Sequence, residues 1–198
     1  MSPAVAVSLW LVRHGETKWS RERLHTSVTD VPLTAAGAEA ARGVGERLVG
    51  RSFSLVLTSP RQRARRSAEL AGFPDAEVDD DLAEWGYGHY EGVSTAQIRE
   101  TDPDWTVWSH PAPGGETAEQ VRTRVDRVLA RCEGVEGDVL LFGHAHCLRA
   151  LTARWLGQSV VDGRLYRLDT GSLSVLAYER ETPVIVHWNA TGSEPLTT

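Results

Sequence analysis

Two cysteines, Cys132 and Cys147, are all that the 198 residues contain. Neither belongs to a Cys-x-x-Cys pair, which excludes a disulfide framework and a cysteine-based metal site and suits a reducing cytoplasm. Excess positive charge is also missing. Asp and Glu number 27 against 21 Lys and Arg, a net charge of -6, which argues against duplex nucleic acid or an anionic membrane as partner and favours small solutes. No N-terminal run is long enough to span a bilayer. Residues 3–12 are apolar but short, carry no basic leader and lead straight into Arg13, so they read as a strand. Internal repeats are absent. Hydrophobic residues are scarce at the far end, where one Leu stands among Gly, Ser, Pro and Thr, so residues 189–198 read as a flexible C-terminal tail behind a single domain over residues 1–188.

What remains is an ordinary soluble composition, 41% hydrophobic and 24% charged, enough for a substantial core. Five runs rich in β-branched or aliphatic residues are candidate strands: 5–12, 55–58, 139–142, 173–178 and 184–188. Between them lie helical patterns. Ala36, Ala40, Val44 and Leu48 recur every fourth residue behind a Thr34 N-cap. Ser59 can cap a second helix, with Pro60 at its first position and Ala64, Ala68 and Ala71 as a small-residue face. Thr117 and Gln120 form a capping box ahead of the stripe Val121, Val125, Val128, Leu129 and Cys132. A fourth helix spans about 146–156, with Leu148, Leu151 and Trp155 inward and Gly157 past its end. This alternation predicts an α/β fold: a three-layer sandwich whose largely parallel central sheet is flanked by helices, the last two strands forming an edge hairpin. The segment 79–115 breaks the regularity with Gly, Pro and the aromatics Trp85, Tyr87, Tyr90, Trp105 and Trp108, as functional loops do.

Open α/β sheets bind ligands beyond the carboxyl ends of their parallel strands. Arg13 and His14 follow the first strand, Ser59 to Arg63 the second, and His144 the third, so two histidines and two arginines converge on one crevice. Guanidinium groups and helix N-termini together suit a phosphate. A neutral imidazole can attack phosphorus, which makes His14 a candidate nucleophile. The leaving alkoxide needs a proton. Glu84, beside an aromatic residue able to desolvate it, could donate that proton and later activate water, with Asp79, Asp80, Asp81 and Glu91 as rival carboxylates. Such general acid catalysis contributes roughly 10²- to 10⁴-fold, and a protonated donor implies better activity at mildly acidic pH.

Four ordered motifs carry a family resemblance. Leu11-Val12-Arg13-His14-Gly15-Glu16-Thr17 resembles the Arg-His-Gly signature of the histidine phosphatase superfamily, which contains cofactor-dependent phosphoglycerate mutases and many phosphatases. Thr58-Ser59-Pro60-Arg61-Gln62-Arg63-Ala64, then Leu82-Ala83-Glu84 through Tyr90-Glu91-Gly92, then Phe142-Gly143-His144 resemble its later segments. The resemblance covers roughly residues 9–155 and implies a phosphoglycerate mutase-like sandwich. It further implies His14 as nucleophile, Glu84 as proton donor, and Arg13, Arg63 and His144 as the phosphate pocket. Ser20, Thr26, Ser27, Tyr87 and Ala145 align with substrate-contacting positions, although the family often has Asn, Gly and Gly where Ser20, Ser27 and Ala145 stand. The run 82–92, with Trp105, Trp108 and Gly114-Gly115-Glu116-Thr117, looks closest to actinobacterial broad-specificity acid phosphatases, and a similar run occurs in fungal sedoheptulose bisphosphatases.

The expected activity is hydrolysis of small phosphomonoesters, sugar phosphates among them, with no cofactor and no metal. His144-Ala145-His146 lacks the familiar zinc spacings, and two nearby arginines would repel a cation. Two alternatives share the fold. A phosphoglycerate mutase needs extra cations to hold its substrate at both ends, yet no adjacent arginine pair follows Glu91-Gly92. A noncatalytic phosphate-binding protein would not need the full set of His14, Arg13, Arg63, Glu84 and His144. Trp105 and Trp108 fit core, pocket wall or interface equally. Oligomeric state is open, a homodimer being one arrangement.

Overall fold

Leu9–Arg13 (β1) and Val139–Gly143 (β4) are nearly uninterrupted apolar runs, as strands buried on both faces should be, and they lie side by side at the centre of the sheet. The computed structural model describes residues 8–192 and residue 196. Among them, Leu55–Thr58 (β2), Glu77–Val78 (β3), Leu173–Glu179 (β5) and Thr182–Ala190 (β6) complete one sheet in the order β3-β2-β4-β1-β5-β6. The β3, β2, β4 and β1 strands run parallel. The antiparallel β5–β6 hairpin closes one edge, as expected. The β3 strand has no counterpart in the sequence reading because it is two exposed residues long and carries no pattern. Residues 5–7 of the expected first strand lie outside the described residues, and the strand continues through Arg13.

Alternation along the strands divides the core in two. Leu9, Leu11, Leu57, Leu141 and Leu176 face Ala118–Glu133 (α5) and Ala145–Trp155 (α6), whereas Trp10, Val12, Leu140, Phe142 and Val175 face Ala35–Arg47 (α2) and Gln62–Leu70 (α3). That is the expected three-layer sandwich. No helix of the described residues is long and apolar enough to cross a membrane. Among the described residues the two remaining α-helices are single turns, Lys18–Arg21 (α1) and Thr95–Ile98 (α4).

The capping box and buried stripe of α5 stand where the sequence puts them. Three other readings need correction. In α2, Ala36 and Ala40 are exposed, and the inward face is Gly37, Ala41, Val44 and Leu48. The reason is backbone contact: a Cβ on Gly37 would sit 2.1 Å from the Glu16 carbonyl oxygen, and one on Gly15 2.1 Å from that of Gly37. The α3 helix begins at Gln62, with Arg61 rather than Ser59 at its N-cap and no local side-chain cap; Asp30 Oδ1 accepts the Gln62 N–H at 2.8 Å instead. Two of the residues read as tail, Asn189 and Ala190, close β6, and a third, Leu196, packs against the cluster beneath α2 and α3.

Candidate active site

Pairing of β1 with β4 sets Arg13 opposite Gly143 and so brings His14 beside His144, ring centroids 5.1 Å apart. The His14 N–H donates to the Gly143 carbonyl at 3.0 Å, which locks the strand end. On the ring, Nδ1 lies 2.7 Å from the Gly15 carbonyl. A carbonyl only accepts, so Nδ1 holds the proton and Nε2 keeps its lone pair. Burial, then the charges of Arg63 and Arg13, hold the imidazole pKa well below 6.5. His14 is therefore neutral at ordinary pH.

His144 is fully buried behind it, also held well below 6.5 by burial and by Arg63, with Nε2 2.7 Å from Ser59 Oγ. That bond gives Ser59 its place in the site. Arg63, in the first turn of α3, is fully buried too. Its Nη1 donates to the Thr29 carbonyl at 3.0 Å and its Nη2 to those of Thr26 and Ser27 at 3.1 Å, so it pins the 26–29 loop. Arg13 donates from Nη1 to the Leu168 carbonyl at 2.6 Å. Asn189 fixes that carbonyl's loop through the Asp169 N–H and carboxylate at 2.7 and 2.8 Å. A residue read as tail thus braces the site. Arg13 Nε, Arg63 Nε and His144 Nδ1 are buried without a hydrogen-bond partner among the described residues. Buried polar groups are ordinarily satisfied, so these nitrogens are suited to a tetrahedral oxyanion beside His14.

Glu84 reaches the same point from the irregular segment. Its Oε1 accepts the N–H groups of Trp85 and Cys147, both at 2.8 Å, and its Oε2 that of His146 at 3.0 Å. The helix α6, whose N-cap His144 makes no capping bond, is thereby capped by a carboxylate about sixty residues away in sequence. The sequence reading of Trp85 as the group desolvating Glu84 is not what the packing shows. Trp85 is a core residue whose indole donates to the Glu116 carbonyl, and it meets Glu84 through its backbone N–H.

These groups border a cavity of about 300 Å³. Arg13, His14, Ser20, Thr26, Glu84, Tyr87 and Ala145 line it, whereas Arg63, His144 and Ser27 stand behind the wall. Ser27 is a brace: its N–H donates to both Glu91 carboxylate oxygens and its carbonyl accepts from Arg63. The Ser20 hydroxyl belongs to a capping box with Thr17. Tyr87, its phenol pushed well above 10 by burial and by Glu84, donates to His146 Nδ1, and burial keeps that histidine neutral. Ala145, first residue of α6, turns the helix N-terminus toward the cavity.

The sequence reading missed Arg23, His25, Arg149 and Arg167 in the lining. Arg149 had a signal, since it lies one helical turn beyond Ala145 on α6. Arg167 had none until the antiparallel β5 brought its leading loop to this end of the sheet. Trp105 is core against His25, and Trp108 supports His146 and, at 4.8 Å, the Arg149 guanidinium. Neither lines the cavity. Among the described residues, no three His, Cys, Asp or Glu side chains are grouped to hold a metal ion.

A family model described as "Histidine phosphatase superfamily (branch 1)" matches residues 9–191. Over 175 residues the chain is 41% identical to an acid phosphatase of Mycobacterium tuberculosis, covering 86% of each protein. It is 33% identical over 191 residues to the sedoheptulose 1,7-bisphosphatase of Saccharomyces cerevisiae, covering 80% of this chain and 70% of that one. Identity is 32% over 197 residues to a Salmonella choleraesuis protein named "Probable phosphoglycerate mutase GpmB", covering 94% and 89%. A solved structure of a Mycobacterium tuberculosis open reading frame superposes with a TM-score of 0.87 at 38% identity, covering 92% of this chain and 96% of that one.

Proposed function

The chain belongs to the histidine phosphatase superfamily, and from that premise we propose a metal-independent phosphatase that hydrolyses small phosphomonoesters through a phosphohistidine on His14. The observation that carries this reading is the set of unpartnered buried nitrogens on Arg13, Arg63 and His144 around an imidazole held neutral. His14 Nε2 attacks phosphorus; the P–N bond forms as the P–O bond to the leaving group breaks, and Glu84 gives its proton to the departing alkoxide. Glu84 then takes a proton from water. The hydroxide displaces His14 from phosphorus, and inorganic phosphate leaves. Cations and the α6 N-terminus stabilise the charge on the equatorial oxygens throughout. No cofactor enters the cycle.

One feature narrows the substrate. Arg23, Arg149 and Arg167 border the outer part of the cavity, which favours phosphomonoesters carrying a second anionic group, sugar bisphosphates among them. The mutase alternative requires the phosphoryl group to return to the substrate instead of passing to water, and the 3-phosphoglycerate assay below separates the two. We place the protein in the cytoplasm as one catalytic domain. Its two thiols are buried and unpaired, pushed by burial to about 12 in Cys132 and about 11 in Cys147, so both stay protonated.

The test is phosphate release from an aryl phosphate and a panel of sugar mono- and bisphosphates, with chelator present, for the native chain and His14→Ala. Turnover by the native chain and a loss on the order of 10⁴-fold or more in the variant are expected. Activity that chelator abolishes would overturn the metal-free reading, and isomerisation of 3-phosphoglycerate without phosphate release would favour the mutase.

A further inference from the structure

The segment Gly114-Gly115-Glu116-Thr117 has no place in the cycle above, and Glu116 lines no part of the cavity. Its backbone lies against the loop that carries Glu84. The Glu116 N–H donates to the Gly86 carbonyl at 2.9 Å, and its own carbonyl accepts the Trp85 indole at 3.0 Å. Gly115 permits this approach, since a Cβ there would stand 2.4 Å from the Gly86 oxygen. The Glu116 carboxylate accepts the Gly86 N–H at 2.7 Å and takes Arg124 of α5 in a fork, Nε at 2.8 Å and Nη2 at 3.0 Å.

Arg124 closes the other side. It is 7% exposed, on the same buried face of α5 as Val121, Val125 and Val128. Its Nη1 donates to the carbonyls of Asp81 at 2.8 Å and Ala83 at 2.7 Å and touches the Cys147 sulfur at 3.4 Å. The ion pair thus holds residues 81 and 83 before Glu84 and residue 86 after it. It also touches Cys147, whose N–H binds the Glu84 carboxylate. Arg124 is buried and the Glu116 side chain 28% exposed, and an ion pair so largely desolvated adds little net stability over an apolar pair, because desolvation offsets the attraction. What the fork does supply is fixed geometry.

We infer that Arg124 and Glu116 are positioning residues that hold Glu84 at the distance and angle from which it protonates the leaving group. The inference rests on the reading of Glu84 as proton donor. Misplacing a reacting group by about 1 Å costs on the order of 10²-fold, and that cost falls only on substrates whose leaving group needs the proton. In Arg124→Met, kcat/KM for an alkyl phosphate such as glycerol phosphate should fall on the order of 10²-fold, while that for p-nitrophenyl phosphate falls by less than about threefold. Glu84→Gln should show the same split, and the double variant no more than Glu84→Gln alone. Equal losses on both substrates in Arg124→Met, as a merely structural role would give, overturn the inference. A Glu84→Gln variant without the split overturns the donor reading and the inference with it; the split in Glu84→Gln alone overturns only the inference. If Arg124→Met does not fold, Glu116→Gln is judged by the same ratio.

Discussion

The inner wall and the outer rim of the cavity are built on different principles. Inward, His14 and, behind it, His144 and Arg63 sit just past strand ends or in a first helical turn: the His14 N–H donates to the Gly143 carbonyl at 3.0 Å, His144 Nε2 meets the Ser59 hydroxyl at 2.7 Å, and Arg63 donates to the carbonyls of Thr26, Ser27 and Thr29 at 3.0–3.1 Å. Outward, Arg23 and Arg167 stand on connecting loops, Arg23 at a φ of 59° and Arg167 with 85% of its side chain exposed. The Arg149 guanidinium rests on Trp108 and two carbonyls of a neighbouring turn. In the proposed cycle the strand ends place phosphorus, and Arg23 and Arg167 on loops with Arg149 on α6 act on what is attached to it. A wall whose donors are preorganised acts on the reaction common to every substrate, and an exposed rim acts on the differences between substrates.

The sharpest way to break that distinction is Arg63→Met. It should lower kcat/KM on all phosphomonoesters alike, by roughly 10²- to 10³-fold; a loss confined to some substrates would mean the inner wall also selects. Arg149→Ala should act oppositely, lowering kcat/KM for a sugar bisphosphate about tenfold and leaving an aryl phosphate nearly untouched. Comparing the two substrates in one variant settles it.

The smallest expected effect is in pH. Since burial and Arg63 hold His14 well below 6.5, the native enzyme should lose less than about threefold in kcat/KM between pH 7 and 5.5, where an unperturbed histidine nucleophile would lose about tenfold. Arg63→Met should move that acid limb up toward 6.5; Arg149→Ala should not move it. Stability carries the opposite sign. His14, His144 and His146 stay neutral in the folded chain while the unfolded chain takes up protons, so stability present above about pH 6.5 is lost as pH falls, by about 1.4 kcal/mol per unit for each. His25, held near 4, adds to the loss down to that pH. Urea midpoints that are flat from pH 7 to 5 would contradict this.

Legibility in the sequence followed locality. The α5 capping box was readable because both partners lie within one turn, and β1 and β4 because strands covered on both faces need no alternation. The face of α2 was misread by one residue because alanine tolerates either side of a helix wall, and only the contact of Gly37 with Gly15 and Glu16 decides which side turns in. Caps at the site were hidden for another reason. Both α3 and α6 take theirs from remote carboxylates, Asp30 and Glu84, leaving Ser59 to bind His144. The brace from Asn189 to the Leu168 loop crosses two strands, which no spacing along the chain reports.

By itself, then, the sequence determined the order of the longer strands and helices, though not β3, α1 or α4, and which side chains could do chemistry on a phosphate, because patterning and residue type act over a few residues. Tertiary structure alone decided that His14 is neutral with Nε2 free, that Arg63 stands behind the cavity, and that three further arginines rim it. Burial, distance and charge are sums over neighbours from every part of the chain, and those sums exist only once the sheet has brought its strand ends together.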